Sequence, residues 1–267
     1  MAKTPPKSPV VIAVTNAKGG VGKTTSVACI GADLAQRGHR VLLIDADWQS
    51  DLTNWFNCDP AGRSLGEVLL SQADIVEAIQ PLRTQGEPFP NLFLLPASNY
   101  LAVQEYQIRE VDDYHELLKK KLAAVAKQYD YVLIDCPPAQ TTMTYMAFVA
   151  ATAYVVPSKP EKFSYDKQAL IAQLAQGLRE SGVNPKLKAL GVFFLPYNPR
   201  SNRRLHQQVV QITGEDFGPD MVLPNIRQDG ALSDSQAFGT LPVSDNPDSN
   251  GVQDFHKLTS AILAKLV

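Results

Sequence analysis

Cysteine is scarce: the 267 residues hold three, Cys29, Cys58 and Cys136, and no two form a CxxC pair. That excludes a disulfide-stapled scaffold, leaves no zinc or iron–sulfur spacing, and suits a reducing compartment. No apolar run approaches the roughly 18 residues that a membrane-spanning helix needs, so none is expected. Neither sign of charge is in excess: 25 Lys and Arg against 27 Asp and Glu leave a net −2. A uniformly basic nucleic-acid binder is thereby excluded, and only a local basic patch stays open. Repeats and low-complexity tracts are missing too. The opening Met1–Pro9 lacks the apolar core of a signal peptide and reads as a flexible, Pro-rich lead. Behind it, 10–267 is long enough, at 45% hydrophobic residues for the whole chain, to bury one large core without staples.

What is present is an alternation of strand and helix. Val10–Thr15, Arg40–Asp45, Asn91–Leu95, Tyr131–Asp135, Ala153–Val156 and Leu190–Leu195 are short apolar runs rich in β-branched residues, with Met221–Leu223 a weaker one. Continuous rather than alternating apolar runs belong to strands covered on both faces. Helical periodicity fills Lys23–Gln36, Asp113–Lys127, Thr141–Ala151, Ser164–Glu180, Arg203–Thr213 and Gln253–Leu266, and the turn-rich Pro81–Pro90 reads as a loop. The expected fold is a single-domain α/β, doubly wound and mostly parallel sheet with helices on both faces.

The segment Lys18-Gly19-Gly20-Val21-Gly22-Lys23-Thr24-Thr25 follows the first strand and opens the first helix. That is the context of a phosphate-binding loop, in which glycines let backbone N–H groups approach phosphate and the helix N-terminus adds positive potential. Lys23 is expected on the β- and γ-phosphates, and the Thr24 hydroxyl on Mg²⁺. Ala17 replaces the glycine that opens the general pattern, and a second lysine, Lys18, follows it.

The string K-G-G-V-G-K-T-T resembles the deviant Walker A motif of the ParA/MinD group of P-loop ATPases. The resemblance implies that Lys18 reaches the partner's nucleotide phosphates across a homodimer. Asp45-Ala46-Asp47-Trp48-Gln49-Ser50 is similar to the group's D-x-D-P-Q stretch with Trp48 in place of proline. Asp47 is thus expected to position the attacking water in switch I, with Asp45 near Mg²⁺ and Gln49 either a helper or a surface residue. Tyr129–Pro138 resembles the Walker B strand and its D-x-P-P switch II, which puts Asp135 near the metal. Further on, Leu223-Pro224-Asn225-Ile226-Arg227 and Ala237-Phe238-Gly239 are similar to the group's I-P-x-N-x-R…S-F-G region, shortened by one residue. With Tyr197-Asn198-Pro199-Arg200, this implies that Asn198 and Pro224 flank the nucleotide base.

The group's members differ in cargo. The partition branch, most like ParA (Soj)-type ATPases, is expected to bind ATP/ADP and Mg²⁺, dimerise with ATP, and hold nonspecific double-stranded DNA. Arg200, Arg203, Arg204 and Arg227 are its candidate phosphate contacts. A ParB-like or other small adaptor would stimulate slow hydrolysis, and the protein would be cytoplasmic and nucleoid-associated. The alternative, a MinD-like membrane positioner, needs a basic amphipathic C-terminal helix. Val252, Phe255, Leu258, Ile262 and Leu266 do form an apolar stripe there, but only Lys257 and Lys265, with His256, supply positive charge. Metal-cluster carriers of the same group want paired cysteine thiolates, and the kinases want a tyrosine-rich tail. Neither is present.

Overall fold

The computed structural model describes residues 8–138, 140–198 and 204–267, with the backbone alone described at 162–164, 204 and 205. Seven strands, β1 (Val10–Val14), β2 (Val41–Asp45), β3 (Gln80–Thr84), β4 (Glu87–Leu95), β5 (Tyr131–Asp135), β6 (Ala153–Ser158) and β7 (Lys188–Phe194), form one sheet. Its order is β3-β4-β2-β5-β1-β6-β7, parallel except for the antiparallel β3–β4 pair. The helices are α1 (Lys23–Gln36), α2 (Asp51–Trp55), α3 (Leu65–Leu69), α4 (Ile75–Ala78), α5 (Leu101–Arg109) and α6 (Leu117–Val125). After β5 come α7 (Thr142–Ala150), α8 (Lys162–Glu180), α9 (Arg204–Phe217), α10 (Gly230–Phe238), α11 (Pro242–Asp245) and α12 (Asn250–Leu266). This is the doubly wound α/β sheet that the apolar runs predict.

Alternate side chains of each central strand enter different cores, as the pleat requires. Val11, Ala13, Leu42, Ile44, Val132 and Ile134 pack beneath α3, α5, α6, α7 and α8. Ile12, Val14, Leu43 and Leu133 pack beneath α1, α2 and α12. Small residues bring α1 close to the sheet: a Cβ on Gly31 would lie 2.6 Å from a methyl of Leu43. The apolar stripe of α12 is spent in this second core, with Phe255, Leu258 and Ile262 at most 2% exposed. Arg37, which caps the C-terminus of α1, fixes that contact by donating to the His256 carbonyl and the Ser260 hydroxyl. The face that a membrane anchor would need is therefore covered by α1 and the sheet. No helix among the described residues is long and apolar enough to cross a membrane.

Three expectations are corrected. The stretch Pro81–Pro90 is no loop but the β3–β4 hairpin, turning at Gln85 and Gly86, both with positive φ. Prolines are tolerated because β3 is an edge strand, and because β4 pairs with β2 only over Leu92–Leu95, beyond Pro88 and Pro90. Met221–Leu223 contributes a single bridge, Val192 with Val222, rather than a strand. The helix expected over Asp113–Lys127 is regular only at Leu117–Val125, with 3₁₀ turns at Tyr114–Glu116 and Ala126–Gln128. The short helices α2 to α5, α10 and α11 went unread, because one to two and a half turns carry too little periodicity to register.

Candidate functional site

β1, β2 and β5 end flush: Val14 is in register with Asp135, and Asp135 with Asp45. The loops that follow them open into one crevice at the carboxyl ends of the strands, where sheets of this kind bind ligands. The loop after β1 is held from below by Asn16, fully buried. Its amide donates to the Pro157 carbonyl of β6 at 2.8 Å, and its Oδ1 accepts the Lys18 N–H at 3.0 Å. Gly20 and Gly22 turn with φ of 66° and 81°. Val21 is buried, which pins the loop while the glycines on either side keep the backbone uncovered. Gly22 is the N-cap of α1, so the free N–H groups of the first helical turn face the crevice.

Lys23, on the first turn of α1, is 7% exposed, and its ammonium donates to the Lys18 carbonyl at 3.2 Å. Burial lowers its pKa, opposed by the carboxylates of Asp135 and Asp47. A cation that has lost its water in this way gains most from an incoming phosphate. Next to it, the Thr24 hydroxyl donates to Asp135 Oδ2 at 2.7 Å. Asp135 is fully buried, and its Oδ1 accepts no hydrogen bond. Burial, and next the neighbouring Asp45, push its pKa well up. An orphaned carboxylate oxygen beside a threonine hydroxyl fits a hard divalent cation that takes oxygen ligands. Thr24 and Asp135 would hold magnesium there.

Asp45 is placed differently. Its Oδ2 accepts from the Thr53 N–H and hydroxyl, and its Oδ1 from the Asp47 N–H. Burial pushes its pKa up to about 7. The carboxylate thus ties the turn after β2 to α2. Asp47 lies half-buried at the lip of the crevice, where its Oδ1 accepts the Gln49 N–H. Burial raises its pKa against that bond and the charge of Lys23. Trp48 and Gln49 are exposed beside it. Lys18 extends outward, its ammonium paired with the Glu161 carboxylate just before α8. Pro138, after β5, borders the loop at Gly19, where an added Cβ would lie 3.8 Å from the proline Cβ.

An open cleft of about 240 Å³ adjoins the loop, lined by Gly20, Gly22, Thr25, Lys159, Leu195, Arg227 and residues of α10. Neither Asn198 nor Pro224 is among its lining residues, whereas Gln228, Asp229 and Gln236 are. Arg227 enters the cleft as a held group: Nε and Nη2 donate to the two oxygens of Asp254 at 2.7 and 2.8 Å. Burial pushes the Asp254 carboxyl up, but the Arg227 bonds outweigh it and hold the pKa below the usual range. Arg200 and Arg203 lie outside the described residues, as does the side chain of Arg204 at the start of α9.

Sequence reasoning missed Asn16, Thr53, Lys159, Glu161 and Asp254. Asn16, Lys159, Glu161 and Asp254 act on residues far along the chain, and Thr53 reaches back eight residues to Asp45; no local motif marks such roles. Only Asn16, a polar residue closing an apolar strand, carried any signal.

Residues 10–189 match the AAA domain family. The chain is 34% identical over 251 residues to the chromosome-partitioning ATPase Soj of Treponema pallidum, covering 94% of this chain and 95% of that one. It is 32% identical to the chromosome partitioning protein ParA of Caulobacter vibrioides, covering 96% and 94%. Among solved structures, cobyrinic acid a,c-diamide synthase from Mycobacterium smegmatis, with bound ATP analogue and magnesium, superposes with a TM-score of 0.80 at 30% identity, over 97% and 96% of the chains. Apo McdA of Cyanothece shares the fold at a TM-score of 0.83 and 23% identity, over 97% and 99%. The chain belongs to the ParA/MinD-type P-loop ATPases.

Proposed function

We propose that this protein is a partition or positioning ATPase that hydrolyses ATP to ADP and phosphate as a switch between monomer and dimer. The observation that carries the reading is the crevice itself. A glycine loop bearing both Lys18 and Lys23 faces the paired Thr24 and Asp135, and the Asp47 lip stands opposite. Relatives named for chromosome partitioning, at 32–34% identity over nearly the whole chain, agree with it.

In this reading the amides of Gly19 to Thr25 cradle the phosphates, and Lys23 neutralises the β- and γ-oxygens. Magnesium, when bound, spreads the charge that develops on the leaving phosphate. Asp47 orients water, and its half-buried position at the lip keeps the carboxylate next to Lys23. Lys18 leaves Glu161 to act across a homodimer on the partner's nucleotide. Asn198 and Pro224 contribute at the base end. The dimer presents Arg200, Arg203, Arg204 and Arg227 to double-stranded DNA without reading sequence. A ParB-like or other small adaptor accelerates an otherwise slow hydrolysis and releases the protein from the nucleoid into the cytoplasm.

The test uses light scattering after size-exclusion chromatography, with ATP, on an Asp47→Ala background. That protein is expected to elute as a dimer, and its Lys18→Ala derivative as a monomer. A Lys18→Ala derivative that dimerises like its parent removes the trans role. DNA binding is expected only with ATP. Each neutralised phosphate adds about 0.9 to the slope of log affinity against log salt.

A further inference from the structure

We infer that Lys159 is a third cation of the nucleotide site, acting within its own protomer on the phosphate chain from the cleft side of the loop. The inference rests on the reading that this crevice binds ATP and ADP. No motif contains Lys159; tertiary structure alone brings it to the loop.

Lys159 follows the last residue of β6. The Leu195 N–H donates to the Ser158 carbonyl at 2.8 Å, so the strand end is fixed to the segment after β7. The Glu161 N–H then donates to the Lys159 carbonyl at 2.8 Å, closing a tight three-residue turn around Pro160. Proline presets its own φ, and the residue before it is restricted to extended conformations, so the root of the Lys159 side chain is held. One turn therefore serves two lysines. It presents Glu161 to the Lys18 ammonium and sends the Lys159 ammonium over the loop. Lys159 Nζ lies 3.9 Å from the position that a Cβ on Gly20 would take, in the wall of the cleft with Gly22 and Thr25.

The other cations of this region have partners. Lys18 is paired with Glu161, Arg227 with Asp254, and Lys23 donates to the Lys18 carbonyl. The cleft's own carboxylate, Asp229, is used structurally: its oxygens accept the N–H groups of Ala231 and Gly251 at 3.0 and 2.6 Å. Among the described residues, Lys159 forms no ion pair and no hydrogen bond through its ammonium. An unpaired ammonium about one side-chain width from the backbone of a phosphate loop creates a positive potential, felt also by the nearby Glu161 carboxylate, that an anion seated in the cleft neutralises directly. Phosphates seated on the amides of Gly20 to Thr25 supply that anion. Lys23 approaches the chain from the helix side, and Lys159 approaches it from the opposite wall.

Such a contact is made in substrate and product alike, so it sets affinity rather than the rate of the chemical step. The experiment measures ADP and non-hydrolysable ATP analogue binding, with magnesium, by calorimetry on the full chain. Lys159→Gln is expected to weaken both about tenfold, and Lys159→Arg to recover most of the loss, with the nucleotide-free melting temperature unchanged in each. Raising salt is expected to narrow the gap between wild type and Lys159→Gln, as charge screening requires. Equal affinities for wild type and Lys159→Gln at low salt overturn the inference. Lys23→Ala is the control. If wild type and Lys23→Ala both fail to bind ADP, the nucleotide reading of the crevice falls. If wild type binds, Lys23→Ala does not, and Lys159→Gln matches wild type, only the role of Lys159 falls.

Discussion

Replacing Gly22 by alanine separates two demands that the phosphate loop places on one residue. Gly22 caps α1 with φ at 81°, a conformation that costs an L-residue about 1–2 kcal/mol. A Cβ there would lie 2.2 Å from Leu195 Cδ2 and 3.0 Å from its Cγ. Leu195 is 6% exposed and packed in the core beneath α1, with one side on the open cleft, so making room for the Cβ pulls the leucine out of that core. Overpacking of this kind costs about 1–3 kcal/mol. Together the two terms predict a loss of about 2–5 kcal/mol, or a melting temperature lower by on the order of 10 °C for a chain of this size. Urea unfolding of the nucleotide-free protein measures it. The two terms divide in a double-mutant cycle with Leu195→Ala, which removes the obstructing atoms and leaves φ unchanged. In that background Gly22→Ala should cost only the backbone term, giving a coupling of about 1–3 kcal/mol. A Gly22→Ala protein as stable as wild type, or one with the same penalty in both backgrounds, would refute the reasoning.

Lys23→Ala is expected to abolish binding of ATP with magnesium, whereas Asp47→Ala should bind it and fail to turn it over. An Asp47→Ala protein that hydrolyses ATP at the wild-type rate removes that carboxylate from catalysis. Stability of the nucleotide-free protein, measured in chelator, should fall as pH rises from 5 to 8. Asp45 is held up to about 7 in the folded chain, so the folded state binds more protons than the unfolded one between its ordinary value and that point. Its contribution is fully present below about pH 4 and lost through pH 7, about 3 kcal/mol of it above pH 5. Asp135 shifts in the same direction. Glu67 and Asp254 are held low and pull the other way, but both are already ionised above pH 5. A melting temperature that is flat or rising across this window contradicts the burial of the Asp45 charge.

The sequence by itself determined the parts of this protein that are contiguous. Apolar runs of four to six residues specify buried parallel strands wherever they fall. The octapeptide from Lys18 to Thr25 specifies a phosphate loop because the geometry of glycine, lysine and a helix start is local. Asp45, Asp47 and Asp135 were legible for the same reason: each ends or follows a strand, and strand ends are where such a sheet keeps its ligands. The β3–β4 hairpin escaped because its prolines forbid a central strand, and only strand order makes β3 an edge. Tertiary structure alone decided who holds whom. Glu161 reaches Lys18 across 143 residues of sequence, and Asp254 reaches Arg227 across 27. Lys159 arrives over Gly20 from the end of β6. These pairings depend on strand order and on how loops from different strands meet, and no spacing along one stretch of chain encodes that. A hydrogen bond or ion pair needs its partners within a few ångströms, and only packing of the whole sheet brings them there.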